Sequence, residues 1–391
     1  MQSNYELIIL GAGISGLGVA LAATERNIST LILEAHTPAS ATSNNTLRII
    51  HGGFRYLQKL QLARVVRSLN DQSYVAKTFS DAVTPLPCLM PLKPFGLKSR
   101  IPVSIAALLY GTTMKLAGSP LPAPRVLSQR ALEELAPQLA TSAQHGALCW
   151  HDLVMTDPKA IARKLTEQVV KNGATIKTFT RATAVTKTDK GYTVTTESGA
   201  TGAPNQFSSQ EFSASKVVNT LGPWIHSIKL PDHLTQSPNR WCLGFNITIS
   251  RQIHPTHAIA IESPDGRLFF AVPRGSETTI GTWYTPCAAP QTTDLAAATT
   301  IPEAELLKFM NAWNNAWPEQ EISANEISST DAGILPMLRE TPSGPELYGA
   351  EVIRNSNDYY EVLSTKYTTF RSQGQRVVRG FRDKNVRADQ V

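Results

Sequence analysis

Residues 5–16 read YELIILGAGISG. The first six are an apolar run rich in β-formers and short enough for a buried strand. The chain then passes Gly11, Gly13 and Gly16, while residues 14–23 carry apolar side chains at helical spacing. Strand, tight glycine turn and helix are the context that makes a G-x-G-x-x-G match a dinucleotide fingerprint. Gly11 permits the turn, Gly13 lets backbone approach a pyrophosphate, and Gly16 lets the helix pack closely on the sheet. The pyrophosphate charge would meet the free N–H groups and positive end of that helix. A second strand, residues 30–33 (TLIL), ends at Glu34, near the distance expected for an acid that accepts ribose hydroxyls and repels a 2′-phosphate.

Outward from this unit, 391 residues are too many for one compact α/β domain, so two domains are expected. The formal net charge of +6 invites a nucleic-acid reading, but the basic residues are scattered without an interleaved basic–aromatic stripe, so no nucleic acid is expected. A modest positive bias serves an anionic cofactor or substrate equally well. Cys88, Cys149, Cys242 and Cys287 are far apart, with no C-x-x-C, and read as isolated thiols in a reducing compartment; no metal site is expected. The N-terminus enters the first strand without a signal segment, and no apolar run approaches the length of a membrane span. A cytoplasmic location is therefore expected. Residues 101–117 are the most lipid-like piece; they read first as a core or domain-interface helix and second as a peripheral membrane contact.

Further along, residues 58–79 predict a helix with Leu62, Val65, Val66 and Leu69 on one side. Pro85, Pro87, Pro91 and Pro94 predict a break in regular structure. Asp157 and Pro158 predict a helix start as N-cap and first residue. Residues 216–220 form an apolar-cored strand running into a glycine turn, where an α/β sheet opens onto its ligand. Residues 243–250, 258–261, 268–272 and 278–282 predict an antiparallel sheet inserted in the chain. Leu306, Met310, Trp313 and Trp317 predict the core face of a helix, and the last ten residues a polar tail.

The stretch 42–58 (TSNNTLRIIHGGFRYLQ) resembles the FAD-dependent glycerol-3-phosphate dehydrogenases, within the wider D-amino-acid oxidase and glycine/sarcosine oxidase (DAO) superfamily. Further resemblances follow in order at residues 152–158, similar to an aspartate-containing helix start of that family, and at 217–224 (VVNTLGPW), 267–282, 331–337 (DAGILPM) and 366–371 (KYTTFR). The helical C-terminal domain typical of the bacterial dehydrogenases has no counterpart. The resemblance implies an α/β fold of the glutathione-reductase-2/DAO type. A Rossmann-like FAD-binding domain would be built from the discontinuous segments 1–85, 145–235 and 330–391. An antiparallel-sheet plus helix cap, 86–144 and 236–329, would bind the substrate.

By the same resemblance, Gly11, Gly13, Gly16 and Glu34 hold the adenosine diphosphate part of FAD, with Thr42 and Ser43 by the pyrophosphate. His51 and Gly52 lie by the flavin, Gly222 approaches from the other strand, and Lys366, Tyr367 and Thr368 close around the ring. Some relatives attach flavin to a histidine; the HGG context of His51 resembles the non-covalent subfamily. Arg55, Tyr56, Arg354 and Lys366 match positions that face an anionic substrate, Arg48 is a further basic candidate, and His51, Tyr56 and Lys366 are candidates for proton handling. Guanidinium groups suit this task because they grip carboxylate or phosphate through paired, charge-assisted bonds. The sequence departs from the family at Leu335, where an arginine is expected, and at Asn246, where a histidine is expected. It departs again at Ser364–Thr365, in place of a glycine pair, and at Trp283–Tyr284, in place of an acidic strand end. These changes imply a less cationic, more aromatic pocket, and a substrate other than glycerol 3-phosphate.

The implied activity is hydride removal from a CH–OH carbon of a small anionic substrate, with oxygen or an unidentified carrier as electron acceptor. The alternative is an amine or amino-acid oxidase or dehydrogenase acting on CH–NH, including a biosynthetic tailoring enzyme. A flavin-binding subunit without its own activity is the remote reading. Oligomeric state stays open.

Overall fold

The computed structural model describes residues 4–381, apart from 60, 140, 142, 200–206, 235, 236, 238, 293 and 343. The tail expected over the last ten residues lies outside the described residues.

The strand Asn4–Leu10 lies at the centre of the first sheet. It runs parallel to Thr30–Leu33 on one side and to the end of Phe207–Asn219 on the other. Thr175–Lys177 and Tyr359–Leu363 extend the parallel set outward. Leu7, Ile8, Ile9 and Leu10 are fully buried, as expected of a strand with both faces covered. The hairpin Thr180–Thr188/Gly191–Gly199 and the strand Val352–Ser356 add antiparallel partners. The helix Ile14–Thr24 packs on this sheet and crosses the helix Phe370–Gly380 at a pair of glycines. A Cβ on Gly374 would lie 2.0 Å from the Gly18 carbonyl oxygen, so only glycine allows this approach.

The second sheet has ten strands among the described residues. Trp241–Ile249 lies between Glu277–Cys287 and Ile327–Thr341, and all three pair antiparallel. The helix Glu303–Ala316 covers this sheet through Phe309, Met310 and Trp313. Trp313 and Trp317 are fully buried, in keeping with a core face. Ile49–Ile50, Val83–Pro91 and Ala147–Met155 complete the other end of the sheet, so it draws strands from both sides of the first sheet's segments.

Four local expectations are corrected. Pro85, Pro87 and Pro91 do not break regular structure but lie within the strand Val83–Pro91. All three occupy alternate positions, so their missing N–H groups fall on one edge. The other edge pairs with Ala147–Met155 along its whole length. The helix expected over 58–79 begins at Leu62, after a 3₁₀ turn Phe54–Lys59. Its Leu62 and Val66 are exposed, whereas Asp71 and Gln72 are buried by tertiary partners. The helix expected from Asp157–Pro158 starts at Ala160; the Asp157 carboxylate instead accepts the Lys159 N–H at 2.8 Å. Asp152, expected near a helix start, lies in a strand. Among the described residues no helix is long and apolar enough to cross a membrane.

Candidate active site

A cavity of about 870 Å³ runs from the first glycine turn to the second sheet. That is near the top of the roughly 300–1,000 Å³ usual for small-molecule sites. One end is the N-terminus of helix Ile14–Thr24, whose N-cap residue, Gly13, has no side chain to cap it. The Ile14 N–H donates to Ser43 Oγ at 3.0 Å, which draws the polar segment over the helix end. A Cβ on Gly13 would stand 3.4 Å from Ser43 Oγ, an ordinary contact; without one, its backbone lies open to the cavity. Gly11 has φ +92°, a turn that glycine adopts without strain. Gly16 does not line the cavity; a Cβ there would stand 2.0 Å from the Gly11 carbonyl oxygen, so it serves packing.

Glu34 closes this end. Its carboxylate accepts the Ala12 N–H at 2.7 Å and the His36 N–H at 2.8 Å. Each oxygen keeps a lone pair, so ribose hydroxyls can still donate to it. Thr42 stitches the polar segment to the strand Ile327–Thr341: its hydroxyl meets the Ile334 carbonyl at 3.1 Å and the Ile334 N–H at 3.2 Å. Gly222, at φ +58°, turns the chain into the cavity from the far strand. The helix N-terminus, the glycine turn and the carboxylate are the donor and acceptor set an adenine dinucleotide requires. These residues fit FAD.

The other end is built around the HGG segment. The His51 N–H donates to Thr368 Oγ1 at 3.2 Å, joining it to the closing KYTTFR segment. Gly52 faces away from the cavity, and Gly53 lines it instead. A Cβ on Gly52 would stand 2.0 Å from the Tyr110 hydroxyl oxygen, which explains glycine at this position. Behind the segment lies Asp152, a buried carboxylate. One oxygen accepts the Gly52 N–H at 2.8 Å and Gln72 Nε2 at 3.0 Å. The other accepts Trp150 Nε1 at 3.0 Å and faces His51 Nδ1 at 3.4 Å. Burial opposes the charge, but the hydrogen bonds from His51, Gly52 and Trp150 outweigh it and hold the carboxyl below its ordinary range.

A cationic wall faces this pair. Arg64 Cζ and Lys366 Nζ lie 4.6 and 4.5 Å from the centre of the Tyr56 ring. Lys366 also donates to the Gly349 carbonyl at 2.7 Å. Arg64 bonds Gln61 Oε1 at 2.5 Å, and its buried Nε has no hydrogen-bond partner among the described residues. No carboxylate pairs with Arg64 among those residues. Elsewhere on the wall, Arg48 (φ +62°) stands by Arg274 and Asp331. Burial, then the neighbouring Arg48, brings Arg274 down to about 10, and Asp331 is raised by burial.

Most of the expected residues meet here. Gly11, Gly13, Glu34, Thr42, Ser43 and Gly222 line the end by the first glycine turn; Arg48, His51, Tyr56, Asn246, Lys366, Tyr367 and Thr368 line the rest. Asn246 accepts the Thr282 hydroxyl at 2.8 Å. The Arg55 side chain lies outside the described residues. Arg354 is not on the cavity; its strand pairs it with Glu361, whose carboxyl burial raises to about 7. Trp283 also turns away: strand alternation sends it into the core against Phe269, and its neighbour Tyr284 lines the cavity. Sequence reading missed Arg64 and the role of Asp152. Arg64 carries no motif, and Asp152 meets His51 only through the pairing of Ile49–Ile50 with Ala147–Met155.

A family model described as FAD dependent oxidoreductase matches residues 6–362. The aerobic glycerol-3-phosphate dehydrogenase of Bacillus subtilis (strain 168) is 25% identical over 390 residues, covering 98% of this chain and 68% of the relative. Among solved structures, the Bacillus halodurans glycerol-3-phosphate dehydrogenase complexed with FAD superposes with TM-score 0.69 at 20% identity, over 97% of this chain and 64% of that one. Glycine oxidase from Geobacillus kaustophilus gives 0.66 at 16% identity, over 100% and 97%. This chain therefore spans about two thirds of the length of its dehydrogenase relatives.

Proposed function

This chain belongs to the FAD dependent oxidoreductase family, and from that premise we propose that it oxidises a CH–OH carbon of a small anionic substrate other than glycerol 3-phosphate. It is an FAD-binding enzyme. The cofactor, held without a covalent bond by the residues from Gly11 to Thr368, supplies the hydride-accepting ring. The observation that carries the reading is the pairing, across one cavity, of a cationic wall with a histidine backed by a buried carboxylate.

Arg64 and Lys366 bind the substrate's carboxylate or phosphate and so fix which carbon faces the ring. His51, its Nδ1 turned toward Asp152, presents Nε2 to take the hydroxyl proton as hydride leaves. Asp152 holds the imidazole orientation. Tyr56 lies between the two cations and supports their placement. Phe270, 6.2 Å from His51, and Trp150 form the aromatic side of this corner.

Leu335 in place of arginine and Tyr284 in the wall support a substrate whose anion sits differently from a glycerol phosphate. The same two features favour, as a second reading, a CH–NH substrate.

Anaerobic bleaching of the bound flavin decides between them. Reduction by hydroxy acids or phosphorylated alcohols, but not by glycerol 3-phosphate, is the expected result. Reduction only by amino acids or N-methyl amines overturns the alcohol reading in favour of the second.

A further inference from the structure

The helix Arg100–Leu116 is apolar on both sides. Val103, Ala107, Tyr110 and Met114 are buried against the protein. On the opposite side Ile101, Ile105, Leu108, Leu109 and Leu116 are exposed, Ile101 and Leu108 by 74% and 72%. The turn before the helix adds Phe95 and Leu97, exposed by 86% and 72%. Of thirteen large hydrophobic side chains exposed among the described residues, these are seven. Single exposed leucines need no explanation, but such a concentration marks an interaction face.

The charges on this stretch of chain have one sign. Residues 82–132 contain no Asp or Glu and six Lys or Arg. Lys93 and Lys98 are engaged by Glu262. Arg100 at the helix start and Lys115 in its last turn are exposed and make no ion pair among the described residues. Lys77 stands beside the far end, its Nζ 3.3 Å from where a Cβ on Gly118 would lie, and is likewise without an ion pair there. At seventeen residues the helix is about 25 Å long, with cations at both ends and an apolar stripe between them.

We propose that this face docks the protein on an anionic lipid bilayer, the helix lying in the plane of the interface. An apolar stripe enters the acyl boundary while flanking Lys and Arg meet anionic headgroups. A second copy of the chain is a poorer occupant, because face-to-face pairing brings like charges together. The docked face backs directly on the catalytic cavity: the Tyr110 ring packs edge-on against Phe54, a lining residue, at 5.0 Å. This inference stands independently of the substrate reading.

Vesicle co-sedimentation of the FAD-loaded protein tests it. The wild type is expected to sediment with vesicles of phosphatidylcholine containing about one-third phosphatidylglycerol, less with pure phosphatidylcholine, and less at high salt. Combining Ile105→Ser, Leu108→Ser and Leu109→Ser is expected to lower partition about tenfold or more, with bound flavin and thermal midpoint retained. Arg100→Glu with Lys115→Glu, which leaves the apolar stripe intact, is expected to weaken binding to the anionic vesicles alone. No sedimentation of the wild type at low salt, or equal sedimentation of wild type and serine variant, overturns the proposal. A wild-type dimer that the serine variant dissolves makes a second copy the occupant and overturns it too.

Discussion

Replacing Asp152 by Asn tests whether one buried carboxylate holds the proton-handling corner together. Its first oxygen accepts from Gly52 and Gln72, its second from Trp150 and His51, at 2.8, 3.0, 3.0 and 3.4 Å respectively. An Asn that keeps its carbonyl toward Gly52 and Gln72 turns its N–H₂ toward the Trp150 indole N–H. Two donors then face each other in a buried place, and the remaining bonds lose their charge assistance. One stranded donor and the weakened bonds cost about 2–4 kcal/mol together. At the entropy of unfolding usual per residue, a chain this long loses about 2–5 °C in midpoint. Thermal unfolding of the FAD-loaded protein measures this, repeated across pH. The Asp152 carboxyl is held below its ordinary 3.8, so the unfolded chain takes up the proton first as pH falls. Its contribution is therefore complete above that value and lost as pH drops through the lower folded value. The gap between wild type and variant should hold from pH 8 to 5 and close below about pH 3.8. A variant as stable as wild type at pH 7, or a gap that widens in acid, refutes the reasoning.

Gly52→Ala places a Cβ 2.0 Å from the Tyr110 hydroxyl oxygen and should destabilise by about 1–3 kcal/mol. That hydroxyl has no hydrogen-bond partner among the described residues, so adding Tyr110→Phe should recover at least half the loss in urea denaturation; strict additivity counts against the clash. Arg64→Gln should raise KM for an anionic substrate roughly tenfold to a hundredfold with little change in kcat, as loss of a charge-assisted bond predicts. An unchanged KM removes Arg64 from the site. Glu361 is fully buried, and burial pushes its carboxyl up to about 7 against the smaller opposing effects of Ser237 and Arg354. Wild type therefore loses stability as pH rises from 4.5, its unfolded value, to about 7. Glu361→Gln should be more stable by about 2–3 kcal/mol at pH 8 and equal at pH 4 in urea titrations; a difference independent of pH counts against it.

The cofactor end is legible in the chain because its signals are local. Strand, Gly11, Gly13, Gly16, helix and Glu34 fall within thirty residues, and their order alone implies a phosphate-binding turn. The far end is less legible because long-range pairing decides which side chains meet. Asp152 reaches His51 only after a two-residue strand pairs with another a hundred positions on. Arg64 reaches Tyr56 and Gly349 across a turn whose 3₁₀ geometry no periodicity signals. Trp283 and Tyr284 divide between core and cavity by strand alternation, so reading both as pocket residues credits one too many. The prolines at 85, 87 and 91 mislead in the opposite sense, since they fall at alternate positions of a strand whose second neighbour, Ala258–Glu262, pairs only at Cys88 and Leu89. Arg354 shows that a matching motif position does not by itself place a side chain on the cavity.

The glycine-on-glycine crossing of the first and last helices also orders events in time. Gly18 and Gly374 touch backbone to backbone, so the helix that opens the nucleotide turn waits for a partner made far downstream of it. At roughly 5–20 residues per second, the nascent chain carries an unsealed fingerprint for about 20–70 s. Cofactor capture then waits for that partner, and the apolar flank of residues 14–24 is a surface that a chaperone has reason to cover until helix Phe370–Gly380 arrives.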